Sequence, residues 1–135
     1  MAKIFRHIGA LFSLAIVLTA MSGDAPILSE SQQRRMDRLL AGKAVEQPEM
    51  CIHAARALAR DGLIVISDRV LLFRVSTNMI YRNDTQQQCD HMERSPFQPI
   101  ISHDGSSICR GDTVTTDRGS CALGDFIPYR RVRPQ

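Results

Sequence analysis

Apolar and β-branched residues in the middle of the chain fall into short runs separated by turn sequences. The runs occupy residues 63–66, 70–75 and 79–83, and polar triplets at 67–69 and 76–78 separate them. Runs of this length and composition, joined by such turns, are typical of β-strands. We therefore predict an antiparallel meander of three strands.

A second β-rich region follows a polar loop at residues 84–97. Residues 98–103 predict a further strand, and residues 112–120 predict a strand, a turn and a second strand that form a hairpin. The second strand is expected to continue through residues 123–127. Pairing is expected to end at Pro128, because proline cannot donate a hydrogen bond to a sheet ladder.

Helical patterning is confined to the N-terminal side of these strands. Residues 29–41 predict a short helix that Ser29 caps and Gly42 ends, and residues 43–50 form a linker. The alanine-rich run at residues 53–60 stays ambiguous, because its helix propensity is good but it is barely two turns long. The sum is a mainly β fold: a small disulfide-stabilised antiparallel sheet or barrel-like domain with a short N-terminal helix.

The N-terminus has the pattern of a secretory signal peptide. Lys3 and Arg6 precede an apolar run at residues 8–21 that ends among small residues. The run is too short for a permanent membrane helix, which needs about 20 apolar residues. We expect cleavage after Ser22 or Ala20, with an uncleaved anchor or a buried helix as the alternative. The predicted organisation is a signal peptide at 1–22, a short helix and linker at 23–50, a β-rich disulfide domain at 51–129 and a basic tail at 130–135.

Cleavage changes the charge of the protein and therefore the partners it suggests. The full chain has 17 basic and 14 acidic residues, and Lys3 and Arg6 leave with the signal peptide. A near-neutral mature form gives no argument for a nucleic-acid partner. We expect a periplasmic or secreted protein with no permanent membrane span after cleavage, and an unknown envelope or extracellular protein as its partner.

Four cysteines, Cys51, Cys89, Cys109 and Cys121, all lie outside the signal peptide. An even number of cysteines in an exported domain of this size indicates two disulfides, for which three pairings exist. We predict Cys51–Cys89 and Cys109–Cys121, because the second pair flanks the predicted hairpin. A metal site is the alternative reading, but the chain has no CxxC or HxxxH spacing that would support one.

Two short motifs have little specificity. Residues 110–112 spell Arg-Gly-Asp, an integrin-type tripeptide, next to Cys109 where a turn needs glycine. Residues 83–85 form a glycosylation sequon, which matters only in a eukaryotic secretory pathway.

Catalytic signals are weak. The compact candidates are His103 and Asp104 with the nearby Ser106 and Ser107, but neighbouring side chains of a strand point to opposite faces. His91 is a further candidate. A polar turn after a strand is the favoured interpretation, so we assign no catalytic, cofactor or metal-binding residue.

Several runs are similar to a family of small exported bacterial proteins of unknown function. They are Cys51-Ile52, residues 66–74, residues 80–89, residues 108–114 and the ending Cys-Ala-Leu-Gly-Asp-Phe-Ile-Pro at 121–128. The resemblance covers residues 39–129. The chain departs from the family pattern at two places. Its alanine-rich segment after Cys51 is longer, and it carries Cys89-Asp90-His91 where relatives tend to carry Cys-Pro-Gly. The resemblance implies export and a disulfide-held β-rich domain, and it implies no activity.

Three functions are consistent with this sequence. The first is a non-enzymatic exported domain with a binding or envelope-associated structural role. The second is an inhibitor of a secreted hydrolase, which would act through the hairpin tip at residues 117–119. The third is a histidine-dependent or metal-dependent hydrolase that uses His91 or His103.

Overall fold

A computed structural model describes residues 24–135, and the predicted signal peptide lies outside these residues. The domain is mainly β, all its strand pairs are antiparallel, and its sheets are open. The helices are α1 (Glu30–Leu40) and α2 (Ala54–Ala57). The strands are β1 (Lys43–Val45), β2 (Cys51–His53), β3 (Leu63–Val65), β4 (Val70–Ser76), β5 (Met79–Asp84), β6 (Ile100–Ser102), β7 (Ser107–Cys109), β8 (Thr113–Thr116), β9 (Gly119–Ala122) and β10 (Phe126–Arg131).

The predicted meander is confirmed as β3, β4 and β5, which form part of a five-stranded sheet in the order β1-β10-β5-β4-β3. The first four residues of β4 are buried without alternation, because both faces of the sheet are covered. Leu71 and Phe73 pack into the main core, whereas Val70 and Leu72 pack into a second cluster against α1. Because successive side chains of a strand point to opposite faces of the sheet, β4 contributes to both cores.

Helix α1 has the predicted boundaries. Ser29 caps the backbone N–H of Gln32, and the Gln32 side chain accepts from the Ser29 N–H in return. Met36, 4% exposed, joins the second cluster. The chain leaves the helix at Gly42, whose φ of 71° lies in the left-handed region that glycine adopts without steric cost.

The two remaining sheets close the main core from the other side. One consists of β2 and β7, and the other has the order β6-β8-β9. The predicted hairpin is confirmed as β8 and β9, but the expected continuation of its second strand through residues 123–127 was wrong. Strand β9 ends at Ala122, and the chain then joins the five-stranded sheet as β10. Ile108, Val114 and Leu123 are fully buried in the main core, and the Phe73 and Phe126 rings meet edge to face with centroids 5.5 Å apart.

Both disulfides differ from the predicted pairing. Cys51 is bonded to Cys109, and Cys89 is bonded to Cys121. The prediction of Cys51–Cys89 and Cys109–Cys121 was wrong because Cys109 lies in β7, before the hairpin begins. The hairpin register places Cys121 opposite Val114 instead. Cys109 faces Cys51 across the β2–β7 pair, with Cα atoms 4.0 Å apart.

Pro128 lies inside β10, so the prediction that pairing ends there was wrong. Its carbonyl accepts a 2.8 Å hydrogen bond from the N–H of Glu46, on the side of β1. In a strand the nitrogen of a residue points the same way as its carbonyl, so the missing N–H also faces β1. Because the side that lacks the N–H faces the end of β1 and not β5, the proline removes no bond to β5.

Two predicted segment boundaries also change. The expected linker at residues 43–50 contains strand β1, which pairs with β10. The expected basic tail at residues 130–135 begins inside β10, where Arg130 Nε donates to Glu46 Oε1 at 2.7 Å. The C-terminal segment of the chain is therefore tied into the sheet as far as Arg131.

Candidate functional site

The weak catalytic candidates around His103 lie in or beside one exposed turn. His103, Asp104 and Ser106 are exposed in the turn between β6 and β7. A shallow cavity of about 220 Å³ is lined by His103 and Asp104, but Ser106 and Ser107 do not line it. Among residues 24–135, no hydrogen bond joins His103 to either serine. A nucleophile and its base need such contact.

His91 lies elsewhere and contacts the hairpin tip. Its Nδ1 is 2.9 and 3.1 Å from the two carboxylate oxygens of Asp117. The hydrogen bond from His91 is the main cause that lowers the pKa of Asp117 below its ordinary value. A carboxylate can orient a histidine base in this way. Nε2 has no hydrogen-bond partner within the described part of the chain.

The hairpin tip at residues 117–119 is anchored to the Cys89 loop. Thr116 Oγ1 donates to the Asp90 carbonyl at 2.8 Å, next to the His91–Asp117 contact. The Cys89–Cys121 disulfide joins the same two segments. The exposed Arg118 therefore lies on a tip that is held by the contact between His91 and Asp117, a hydrogen bond and a disulfide.

The Arg-Gly-Asp tripeptide serves the turn between β7 and β8. Asp112 Oδ2 accepts the Cys109 N–H at 2.7 Å, and Gly111 has a φ of 88°. Arg110 contacts the Asp125 carboxylate at 3.3 Å. Because the Asp112 carboxylate accepts a backbone N–H, the motif stabilises the turn.

No group of three metal-ligating side chains is placed to hold an ion within residues 24–135. The four cysteines are all in disulfides. Within the same residues, no helix is both long enough and apolar enough to cross a bilayer.

Three arginines without an ion pair among the described residues line one groove, which we call the arginine groove. Arg56 and Arg60 lie on and just after α2, and Arg74 lies on β4. The groove has a volume of about 480 Å³, and all three arginines are exposed. The rest of its lining consists of Ala55, Ala59, Asp61, Val75, Ser76 and Thr77.

Gly62 holds the two sides of the arginine groove together. Its N–H donates to the Ala59 carbonyl at 2.8 Å, and its carbonyl accepts the Arg74 N–H at 2.7 Å. A Cβ at this position would lie 2.6 Å from the Ala57 carbonyl oxygen, so only glycine fits. Ala57 itself is fully buried and fixes α2 on the core. The backbone therefore sets the spacing of the arginines.

Four arginines elsewhere in the domain form ion pairs, whereas others, such as Arg38 and Arg133, are exposed without one among the described residues. The four with a carboxylate within 4 Å are Arg34, Arg82, Arg110 and Arg130. By contrast, Arg56, Arg60 and Arg74 have no ion pair or side-chain hydrogen bond within residues 24–135. One carboxylate, Asp61, lines the groove with them. The groove thus carries an excess of positive charge that the domain itself does not neutralise.

A second groove adjoins the first along the outer edge of β3, and we call it the edge groove. It has a volume of about 410 Å³ and runs between β3 and the segment at residues 92–99. Asp61 and Arg74 line both grooves, so the two surfaces are continuous. Arg35 lies at the other end of the edge groove.

A larger groove of about 650 Å³ lies beside the N-terminal residues 24–27. Its cation, Arg69, donates to the carbonyls of Asp24 and Thr85. The Arg69 guanidinium therefore already donates hydrogen bonds to the backbone of the domain.

Sequence reasoning did not find the arginine groove. The spacing of Arg56 and Arg60 in an alanine-rich run was the available signal, since residues four apart share a helix face. Arg74 joins them only through the position of β4 against α2, which periodicity does not reveal.

Comparison with known proteins gives no relative from which a function could be transferred. No protein-family model, curated protein or solved structure matches the chain.

Proposed function

We propose that this chain is an exported, non-enzymatic binding domain that holds an acidic group of an envelope or extracellular protein in its arginine groove. The observation that carries the proposal is that Arg56, Arg60 and Arg74 line one groove without ion-pair partners among residues 24–135. Guanidinium groups bind carboxylates with two parallel hydrogen bonds, which makes arginine suited to recognise acidic groups.

Export rests on the N-terminal pattern and is supported by the covalent framework. Two disulfides are typical of proteins that fold in an oxidising compartment. N-terminal sequencing of the exported protein tests the signal peptide. We expect the mature chain to begin at Gly23, or at Met21 if cleavage follows Ala20. A protein recovered with Met1 intact would contradict the proposal.

Binding to the arginine groove can be tested with an acetylated and amidated octapeptide of glutamate. Replacing Arg56, Arg60 and Arg74 with glutamine should weaken binding about ten- to a hundredfold, since each exposed ion pair contributes up to about 1 kcal/mol. Isothermal titration at low and at physiological salt measures this change. Salt should weaken binding to the unmodified protein, because exposed charges are screened.

The matched control changes the net charge equally at sites away from the groove. Arg38, Arg131 and Arg133 are exposed and have no ion pair among the described residues. Their replacement with glutamine should change the affinity less than threefold, a difference below about 0.7 kcal/mol. If both triple variants lose affinity equally, the peptide senses only net charge and the proposed site is wrong.

A second candidate function is inhibition of a secreted protease through the hairpin tip. The observation that favours it is that Arg118 is exposed on a tip held by the His91–Asp117 contact, the Thr116 hydrogen bond and the Cys89–Cys121 disulfide. Restricting a loop before binding lowers the entropy lost on binding. Titration against trypsin should show inhibition that Arg118→Ala abolishes and Arg38→Ala retains. Cleavage after Arg118 without inhibition would rule out this role.

A further inference from the structure

Strand β3 is an edge of the five-stranded sheet, and its outer side retains unpaired backbone groups. The bonds from Arg74 N–H to Gly62 and from Ile66 N–H to Val70 show that residues 62, 64 and 66 point their backbone groups towards β4. The backbone groups of Leu63 and Val65 therefore point outward, as alternate residues of an antiparallel ladder do.

One of these outward groups is occupied. The Val65 carbonyl accepts a 2.8 Å hydrogen bond from Arg35 Nη1. The N–H and carbonyl of Leu63 and the N–H of Val65 have no hydrogen-bond partner within residues 24–135. They face the edge groove, so they are available to a strand that enters it.

The opposite wall of the edge groove offers apolar contact. It includes Pro96 and Phe97, and the Phe97 side chain is 71% exposed. The three residues of β3 are themselves partly exposed. An extended peptide in the groove would therefore find backbone partners on one side and an aromatic ring on the other, the combination that strand addition uses.

Charge complementarity indicates what kind of peptide fits. Four arginines, Arg35, Arg56, Arg60 and Arg74, line the two grooves against two carboxylates, Asp61 and Glu93. Glu93 is already an acceptor for the Gln32 side chain. A peptide with acidic side chains would balance this excess, whereas a basic peptide would add to it.

The direction of the peptide follows from the position of the arginines. Strand β3 begins next to Asp61, at the end where the edge groove meets the arginine groove. Every strand pair described in this domain is antiparallel. A peptide that pairs antiparallel with β3 would place its C-terminal part over Arg60 and Arg74.

From this arrangement we infer that the partner supplies an extended segment that adds to β3 as an antiparallel strand. Aspartate or glutamate side chains directly C-terminal to that segment occupy the arginine groove. The inference rests on the proposed function for its acidic end and adds the strand, its direction and the edge that receives it.

Three acetylated and amidated peptides test the inference by fluorescence anisotropy with the purified oxidised protein. The first has the order Val-Thr-Val-Thr-Val-Glu-Glu-Glu. The second has the glutamates at the N-terminal end. The third repeats the first but is N-methylated at two neighbouring central residues, so that both of its edges are blocked. The first peptide should bind about tenfold more tightly than the third, the difference expected from one or two hydrogen bonds, and more tightly than the second.

A variant of the protein supplies the complementary test. Val65→Pro removes an outward N–H and no bond to β4, and proline is tolerated on edge strands. It should reduce binding of the first peptide to the level of the N-methylated one. The thermal unfolding midpoint of the variant verifies that it folds. The N-methylated peptide tests the same point on the unmodified protein.

The outcomes separate this inference from the proposed function. If the first and third peptides bind equally and the arginine triple variant loses both, the arginine groove is right and strand addition is wrong. If the triple variant keeps full affinity for the first peptide while N-methylation abolishes binding, strand addition is right and the arginine groove is not the site of the acidic residues. Tighter binding of the second peptide would overturn the antiparallel direction.

Discussion

The side-chain amide of Asn83 forms two hydrogen bonds with the backbone of Gly124. Its Nδ2 donates to the Gly124 carbonyl at 2.8 Å, and its Oδ1 accepts the Gly124 N–H at 2.9 Å. Asn83 is fully buried, so the sequon at residues 83–85 presents no accessible acceptor in the folded domain. The asparagine instead fixes the segment between β9 and β10 to the end of β5.

Replacing Asn83 with aspartate should destabilise the domain by about 2 kcal/mol or more at neutral pH. A carboxylate oxygen would then face the Gly124 carbonyl with no donor between them, in a site closed to water. Urea unfolding measures the loss. Asn78→Asp, in the exposed turn between β4 and β5, is the matched control and should change stability by about 0.5 kcal/mol at most. Equal effects of the two substitutions would contradict the role of the buried amide.

Gly124 is expected to tolerate no side chain. A Cβ at this position would collide with the Asp84 carbonyl oxygen, which is backbone and has little freedom to move. Gly124→Ala should therefore lower the free energy of unfolding by about 1–3 kcal/mol. Gly105→Ala serves as the comparison, because a Cβ there meets nothing within 4 Å and only the φ of 63° opposes it. A smaller loss at Gly124 than at Gly105 would refute the close approach.

Peptide mapping without reduction should recover Cys51 joined to Cys109 and Cys89 joined to Cys121. The two bridges close sequence separations of 58 and 32 residues. On a chain-entropy model each contributes up to about 4 kcal/mol, and the longer loop contributes about 0.5 kcal/mol more. Each of the variants Cys51→Ala/Cys109→Ala and Cys89→Ala/Cys121→Ala should accordingly unfold at lower urea than the unmodified protein. A Cys109–Cys121 peptide would contradict the β2–β7 register.

Local signals predicted a large part of this fold. The turns at residues 67–69 and 76–78 interrupt apolar runs, so the meander could be derived from neighbours in the sequence. The cap at Ser29 and the stop at Gly42 are likewise properties of a few adjacent residues. The hairpin of β8 and β9 was predictable for the same reason.

Features that depend on distant pairing were not predictable. Cys51 and Cys109 meet because β2 pairs with β7, and neither strand has a turn that indicates its partner. Pro128 is accommodated because its nitrogen faces the end of β1 and not β5, which depends on the tertiary register. The arginine groove has the same origin, since Arg74 approaches Arg60 only when β4 packs below α2. Short-range sequence patterns specify single helices and strands. The disulfide, the position of Pro128 and the arginine groove instead depend on how these elements pack against one another.

The contact between His91 and Asp117 predicts a measurable titration. The hydrogen bond from His91 lowers the pKa of Asp117 below its ordinary value of 3.8. A carboxyl with a lowered pKa in the folded state stabilises the domain above its unfolded pKa, and this contribution is lost as the pH falls through the lower folded value. Carboxyl-carbon NMR should show the Asp117 pKa rising towards 3.8 in His91→Gly, a substitution that suits the φ of 65° at this position. Arg118→Gln should move it less, because the charge of Arg118 is the weakest of the resolved causes. An Asp117 pKa that does not change in His91→Gly would show that the histidine does not hold the hairpin tip.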